Sequence, residues 1–230
     1  SGINTTWNRL KKGGKIGDIL YEIEENFDFV NPEKHIANLL EAYGLMQELE
    51  DKHWKKLKVK QIIEIIEACL GLYLEASATS ATATPDSKIN VNFEVLNRSN
   101  VKVQLASVRT TIDDKSTFKS IDLNQNKKLN FTQKISLQSA EYSAPYWLEN
   151  TATLGMYTVD KQELIGQPET PREISVDFNL IVDYMPITIR KNIVRRYAER
   201  DKGEIYEPFE IVPIVSTKLK DKVIIFPNEI

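Results

Sequence analysis

Two histidines, one cysteine, paired carboxylates and a group of aromatic residues are the side chains in this sequence with chemistry to offer. A zinc site needs three or four His, Cys or carboxylate ligands converging on one point. His35 and His53 are eighteen residues apart, on or near different helical segments, and form no His-x-x-x-His pattern. Both read as partly exposed helix residues, and no metal ligand is expected in this chain. Cys69 falls on an apolar helical stripe with no histidine near it in sequence, so it reads as a buried, inert thiol. Asp113-Asp114 is a solvated loop pair unless a pocket forms around it. The sequence holds no phosphate-cradling loop, no Gly-x-Ser-x-Gly elbow and no dinucleotide fingerprint. On this inventory the chain has no catalytic or cofactor-binding residues, and no cofactor is expected in it.

The aromatic group is the one candidate for ligand binding. Tyr142, Tyr146, Trp147 and Tyr157 crowd a stretch, 139–171, that lacks a clean secondary-structure period. Aromatic faces stack on the C–H faces of sugars, which makes Tyr142, Tyr146 and Trp147 speculative carbohydrate contacts. The competing reading is that Tyr146 and Trp147 anchor a long connection against a sheet, because such a connection needs apolar anchors of its own. Exposure of Trp147 separates the two, and the anchor reading predicts its burial.

The elements that must carry these residues follow from periodicity. With 41% hydrophobic and 27% charged residues, the 230-residue chain has the make-up of a globular protein with a proper core. A net charge of -3 leaves no electrostatic footprint for nucleic acid. The basic concentration Arg190, Lys191, Arg195, Arg196 and Arg200 is diluted by Glu199, Asp201 and Glu204, and reads as a solvated strand face. No apolar run reaches the ~20 residues needed to span a bilayer. Ile62–Leu74, the best candidate, is broken by Glu64, Glu67 and Gly71.

Ile16, Ile19, Leu20, Ile23 and Phe27 form one helical stripe. Asn31-Pro32-Glu33 is a helix start signal, ahead of the stripe Ile36, Leu39, Leu40, Tyr43 and Met46. A third helix is expected to carry Trp54, Leu57, Ile62, Ile65, Ile66, Cys69, Leu70 and Tyr73. At Ser77–Asp86 the apolar period disappears, and beyond it the period becomes two. Ile89–Val95 and Val101–Leu105, joined by Asn97-Arg98-Ser99-Asn100, are expected to form a hairpin. Further alternating runs are 129–137, 174–182 and 209–215, with shorter pieces at 187–189 and 193–197. The expected architecture is α+β: an antiparallel helical unit (1–78), a linker (79–86), and an immunoglobulin-like antiparallel β-sandwich (87–220) with the insertion 139–171. Residues 221–230 would begin a further strand or segment.

Several blocks, in order, carry a resemblance. They are the helix end Glu67–Ala76, the strand start Pro85-Asp86-Ser87, Asn97-Arg98-Ser99, Pro145-Tyr146-Trp147-Leu148, Gly155-Met156-Tyr157, Leu164–Glu169, and Gly203–Pro213. From Gly2–Trp7 onward the chain resembles the region downstream of the catalytic domain in large bacterial LmbE/PIG-L-like deacetylases. The resemblance implies a parent protein that removes N-acetyl groups from sugars with zinc held by a His-Pro-Asp-Asp motif and a further His. This sequence lacks that motif, so no catalytic residue carries over, and zinc is expected only in the missing catalytic domain. Asp86 stands where a turn glycine commonly follows the proline.

The expected role is therefore non-catalytic: a structural or interaction region that supports or orients its own catalytic domain. A carbohydrate-binding module is the alternative. Docking on a catalytic domain predicts an exposed apolar patch on the helical unit, with Ile3, Trp7 and the outer faces of the first two helices as contributors. Ser1-Gly2 reads as a cloning or protease scar, and the stop soon after Val223–Phe226 as the edge of an excised fragment. An exported location is expected for the parent, its signal peptide lying outside this chain.

Overall fold

The computed structural model describes residues 2–113, 120–172 and 174–217; the expected segment 221–230 and Asp114 lie outside them. Three helices come first: α1 (Gly13–Glu25), α2 (Ile36–Gln47) and α3 (Lys52–Cys69). Eleven strands follow among the described residues: β1 (Tyr73–Ala78), β2 (Thr82–Ala83), β3 (Lys88–Leu96), β4 (Val103–Thr110), β5 (Ile121–Asp122), β6 (Leu129–Ser136), β7 (Ser175–Val182), β8 (Met185–Asn192), β9 (Val194–Glu199), β10 (Gly203–Pro208) and β11 (Glu210–Ile211). The fold class is mixed α+β, helices preceding mainly antiparallel sheets.

α2 buries the whole face its sequence period marks, and α1 and α3 bury part of theirs. α2 buries Ile36, Leu39, Leu40, Tyr43 and Met46. α1 buries Ile16 and Ile23, and Trp7 lies across it where glycines leave room. A Cβ on Gly13 would come within 2.1 Å of the Trp7 carbonyl oxygen, and one on Gly17 within 3.0 Å of the Trp7 Cβ. α3 starts where the Asp51 carboxylate accepts the Trp54 N–H at 3.0 Å. It buries only Ile62, Ile66 and Cys69, leaving Leu57 and Ile65 exposed.

The third helix ends sooner than its apolar stripe. Gly71 takes a left-handed conformation (φ +57°), which a glycine adopts without steric cost, and the chain leaves in an extended direction. Tyr73–Ala78, expected to be helical, is a strand. Nor is the following stretch only a connection: Thr82–Ala83 pairs in parallel with β11. The Asn31 start signal is also read differently. Asp28 caps this turn, accepting the Val30 and Asn31 N–H groups, while the Asn31 amide itself donates to Asp28.

The strands form a five-stranded sheet, β10-β9-β1-β3-β6, a four-stranded sheet, β5-β4-β7-β8, and the short pair β11-β2. Pairing is antiparallel except β1 with β9 and β2 with β11. The expected β3–β4 hairpin does not form, because β3 pairs with β1 and β6 while β4 pairs with β5 and β7. Asn97 explains the corner. Fully buried, its amide donates to the Val101 and Leu123 carbonyls, and its oxygen accepts from the Ser99 N–H and hydroxyl. That local network turns the chain from one sheet into the other, instead of folding it back beside itself.

A true hairpin joins β7 and β8 through Asp183-Tyr184, both at positive φ as a two-residue hairpin turn requires. The two sheets meet through Phe93 and Phe178, rings edge to face with centroids 6.1 Å apart. The helices belong to the same continuous core. Tyr43 on α2 donates to the Pro186 carbonyl of β8, and Lys191 of β8 pairs with Glu67 of α3 at 2.5 Å.

Candidate functional site

Both ends of the 139–171 insertion are clamped to β11. Where it enters, the Ser143 N–H donates to the Ile211 carbonyl, and the Ile211 N–H donates back to the Ser143 hydroxyl, both at 2.9 Å. Where it leaves, Arg172 holds Glu210 at 2.7 Å and reaches Glu169. Asp86 prepares the entry. Its φ of +59° is the left-handed conformation a glycine would adopt there, and its carboxylate accepts the Ser139 N–H. Aspartate tolerates that region and gains a local bond glycine lacks.

Between these clamps lies a cleft of about 400 Å³, with Ala140, Phe209 and Ile211 toward the core. Tyr142, Glu141, Glu149 and Arg172 also line it. Of the aromatic candidates, Tyr142 alone lines this cleft, and its side chain is largely exposed. Tyr146 is turned inward at 8% exposure. Its N–H donates to the Thr170 hydroxyl and its own hydroxyl to the Gln167 carbonyl, which staples the two halves of the insertion together. Trp147 is half-buried and packs edge to face on Tyr146, ring planes at 86°. The trio thus does not present one flat aromatic platform.

The same insertion displays apolar side chains outward. Thr153 and Met156 exchange backbone hydrogen bonds at 3.0 and 3.2 Å around a tight turn with Gly155 at φ +75°. Leu154 at its tip is fully exposed, and Met156, Tyr157, Leu148 and Ile165 are each more than half exposed. The segment is held in place all the same, since the Asn150 amide donates to the Thr158 carbonyl and to Asp160. On the helical side Phe29, Val30 and Ile3 are exposed, whereas Trp7 is half-buried against α1. The sequence reading missed Leu148, Leu154, Met156 and Ile165 along with Phe29 and Val30. The available signal was apolar residues in stretches with no period to bury them.

The remaining reactive groups are engaged locally. His35 Nε2 accepts the Asp28 N–H at 3.0 Å, and its ring stacks on Phe27. His53 packs edge-on to Trp54. Cys69 is buried, and burial pushes its thiol pKa up, away from the reactive thiolate. Among the described residues no three His, Cys, Asp or Glu side chains are grouped to hold a metal ion. No helix among them is long and apolar enough to cross a membrane.

No family model and no curated protein matches this chain. Among solved structures it is similar to Pseudomonas fluorescens alkylpurine DNA glycosylase AlkC bound to DNA containing an abasic site analog, at 8% identity and a TM-score of 0.27. That likeness covers 76% of this chain and 50% of the other, so this chain spans about half of that protein's length. A TM-score of 0.27 carries no inference about fold or activity.

Proposed function

We propose that this chain is a non-catalytic structural and interaction region of a larger sugar N-deacetylase-like protein, supporting or orienting its catalytic domain. The observation that supports it most is a firmly anchored insertion carrying exposed apolar side chains, Leu148, Leu154, Met156, Tyr157 and Ile165. Apolar side chains left exposed on an anchored segment gain burial free energy when a partner covers them, which is the physical basis of this reading. Phe29 and Val30 at the α1–α2 turn extend the same argument to the helical side. In this reading zinc belongs to the catalytic domain, and the parent is exported. The two sheets meeting at Phe93 and Phe178 support the finer description of residues 87–220 as an immunoglobulin-like sandwich. The inward-turned Tyr146 supports an anchoring role for the insertion's aromatics over the carbohydrate-module alternative.

Hydrogen exchange on the isolated chain and on the longer polypeptide tests this. Exchange around 28–31 and 153–157 is expected to slow when the catalytic domain is present. Equal exchange at both segments overturns the docking. Zinc bound stoichiometrically by the isolated chain at His35 or His53 overturns the non-catalytic assignment.

A further inference from the structure

Two short basic segments meet at one end of the helical unit. Residues 7–15 and 52–60 hold nine of the chain's 30 Lys and Arg and none of its 33 Asp and Glu, in a chain of net charge -3. Far apart in sequence, they are joined in space by two tryptophans. The Arg9 guanidinium lies 4.6 Å from the centre of the Trp54 ring, and Lys58 Nζ stands 5.6 and 5.9 Å from the Trp7 and Trp54 rings. This is the other end of α1 from Phe29 and Val30, which follow its last turn where Trp7 and Arg9 precede its first.

Acids from neighbouring elements answer only part of that charge. Lys11, Lys12 and Lys15 pair with Glu50, Glu48 and Glu41 at 2.9, 3.7 and 2.7 Å. Lys60 stands 4.0 Å from Glu64, at the limit of an ion pair. Asp51 is turned to the Trp54 N–H. The other cations meet neutral groups, which leave the charge whole: Arg9 and Lys58 the indoles, Lys58 also the Gln61 amide oxygen, and Lys55 the Gln47 carbonyl. Lys52 and Lys56 have no partner among the described residues. Lys52, Lys56 and Lys60 follow one another at every fourth position of α3, so they form a row, with His53 and Leu57 beside it and all five exposed. Like charges at that spacing repel one another along a helix, and an anion facing the row relieves the repulsion.

Side-chain types narrow the anion. Eight of the nine cations are lysines. Lysine is a compact charge on a flexible stem, without the rigid fork by which arginine grips one phosphate or carboxylate, so the array fits a diffuse negative surface. Apolar side chains sit among the charges. Leu57 is 37% exposed between Lys56 and Lys58, and Ile3, in the exposed chain ahead of Trp7, is 75% exposed. The headgroup boundary of a bilayer takes basic, aromatic and aliphatic side chains together. A nucleic-acid strand would use open aromatic faces for its bases, whereas both indoles here are half-buried with cations held against them. We propose that this end of the helical unit binds peripherally to an anionic phospholipid surface, with Arg9, Lys52, Lys55, Lys56, Lys58 and Lys60 facing the headgroups.

Co-sedimentation of the full chain with vesicles tests this, comparing phosphatidylcholine alone with phosphatidylcholine containing about one third phosphatidylglycerol, at about 0.1 M salt. Binding is expected to the mixed vesicles only, and about 0.5 M salt should weaken it at least tenfold. The triple variant Lys52→Gln/Lys56→Gln/Lys60→Gln alters only exposed side chains and should also lose at least tenfold, at an unchanged melting temperature. Lys88→Gln/Lys127→Gln/Lys134→Gln, equally exposed but away from the helices and of the same net charge, should keep binding within about twofold. No binding to the mixed vesicles, equal binding to phosphatidylcholine alone, or equal losses in the two triple variants overturns the proposal. Tighter binding to poly-glutamate or to duplex DNA than to the mixed vesicles overturns it in favour of an acidic protein or a nucleic-acid partner.

Discussion

β3 and the 139–171 insertion are both rich in apolar residues and dispose of them in opposite ways. Val91, Phe93 and Val95 on β3 are 1% exposed or less, while Leu154, Met156, Tyr157 and Ile165 in the insertion stand mostly in solvent. The difference lies in how the backbone is satisfied. On β3 two neighbouring strands hydrogen-bond the chain, which fixes a strict alternation and sends every second side chain inward. In the insertion the bonds come singly, from Asn150, Thr170 and the Thr153–Met156 turn. Nothing there sets a repeating direction, so one aromatic, Tyr146, can point in while its neighbours point out. The two regions should therefore respond to truncation in opposite ways.

The largest effect is expected at Phe93. It lies between Phe131, stacked at 4.8 Å, and Phe178 of the other sheet. Phe93→Ala should cost about 3–5 kcal/mol of unfolding free energy in denaturant titration. A cost below about 1 kcal/mol would mean that the inter-sheet core repacks easily, and the comparison would lose its rigid half.

Tyr146 tests the insertion's single inward residue. Tyr146→Ala should approach core-like costs, about 2–4 kcal/mol, since it leaves a cavity beneath the insertion. Tyr146→Phe removes only the bond to the Gln167 carbonyl and should cost about 0.5–1.5 kcal/mol. Trp147→Ala belongs between these, because the ring is half-buried and not enclosed. Thermal melts read the series, at about 2–4 °C per kcal/mol for a chain of this size.

How much was legible in the sequence follows from the same contrast. Where one face is buried along a regular element, the period survives in the residues. The α2 stripe and the strands β6 and β7 were readable for that reason. The end of α3 was not, because Leu70, Tyr73 and Leu74 continue an apolar pattern through a strand buried on both faces, and only Gly71 marks the break. The β3–β4 corner was misread as a hairpin because its turn residues are ordinary hairpin residues. What decides the crossing is the burial of Asn97 between two sheets, a long-range event. Gly203–Pro208 went unread as a strand, since its glutamates and Tyr206 leave no apolar alternation. The insertion's aromatics were found by type, but their separate fates depend on Thr170 and Gln167, more than twenty residues away.

A smaller effect, dependent on pH, is expected at the α1–α2 turn. The Asp28 carboxyl is held well below the usual carboxylate range, by Lys34 first, then by the Asn31 N–H and side chain. A carboxyl whose pKa is depressed in the folded state contributes stability above its unfolded value, 3.8, and loses that contribution as pH falls below it. Melting temperature should therefore drop between about pH 5 and pH 2.5, and Asp28→Asn should flatten part of that drop. Because Lys34 is largely exposed and Asp28 partly so, added salt should shrink the difference between the two proteins. Identical pH profiles would show that the turn holds without this charge.

The smallest stability effect, and the one that bears most on function, is expected at the insertion tip. Leu154→Ser and Met156→Ser exchange side chains that already face water, so the isolated chain should keep its unfolding free energy within about 0.5 kcal/mol. Neither change touches the backbone bonds between Thr153 and Met156, nor the Gly155 turn, so the tip should retain its shape. If the tip docks on a catalytic domain, the same double variant should lose the slowed exchange at 153–157 in the longer polypeptide. A loss of about 2 kcal/mol or more in the isolated chain would instead show that Leu154 and Met156 already pack within it. The insertion would then be a second small core, like β3 in its energetics, and the opposition between the two regions would dissolve. Unchanged stability together with unchanged protection would show that these two side chains do not produce the docking and remove them from the docking surface.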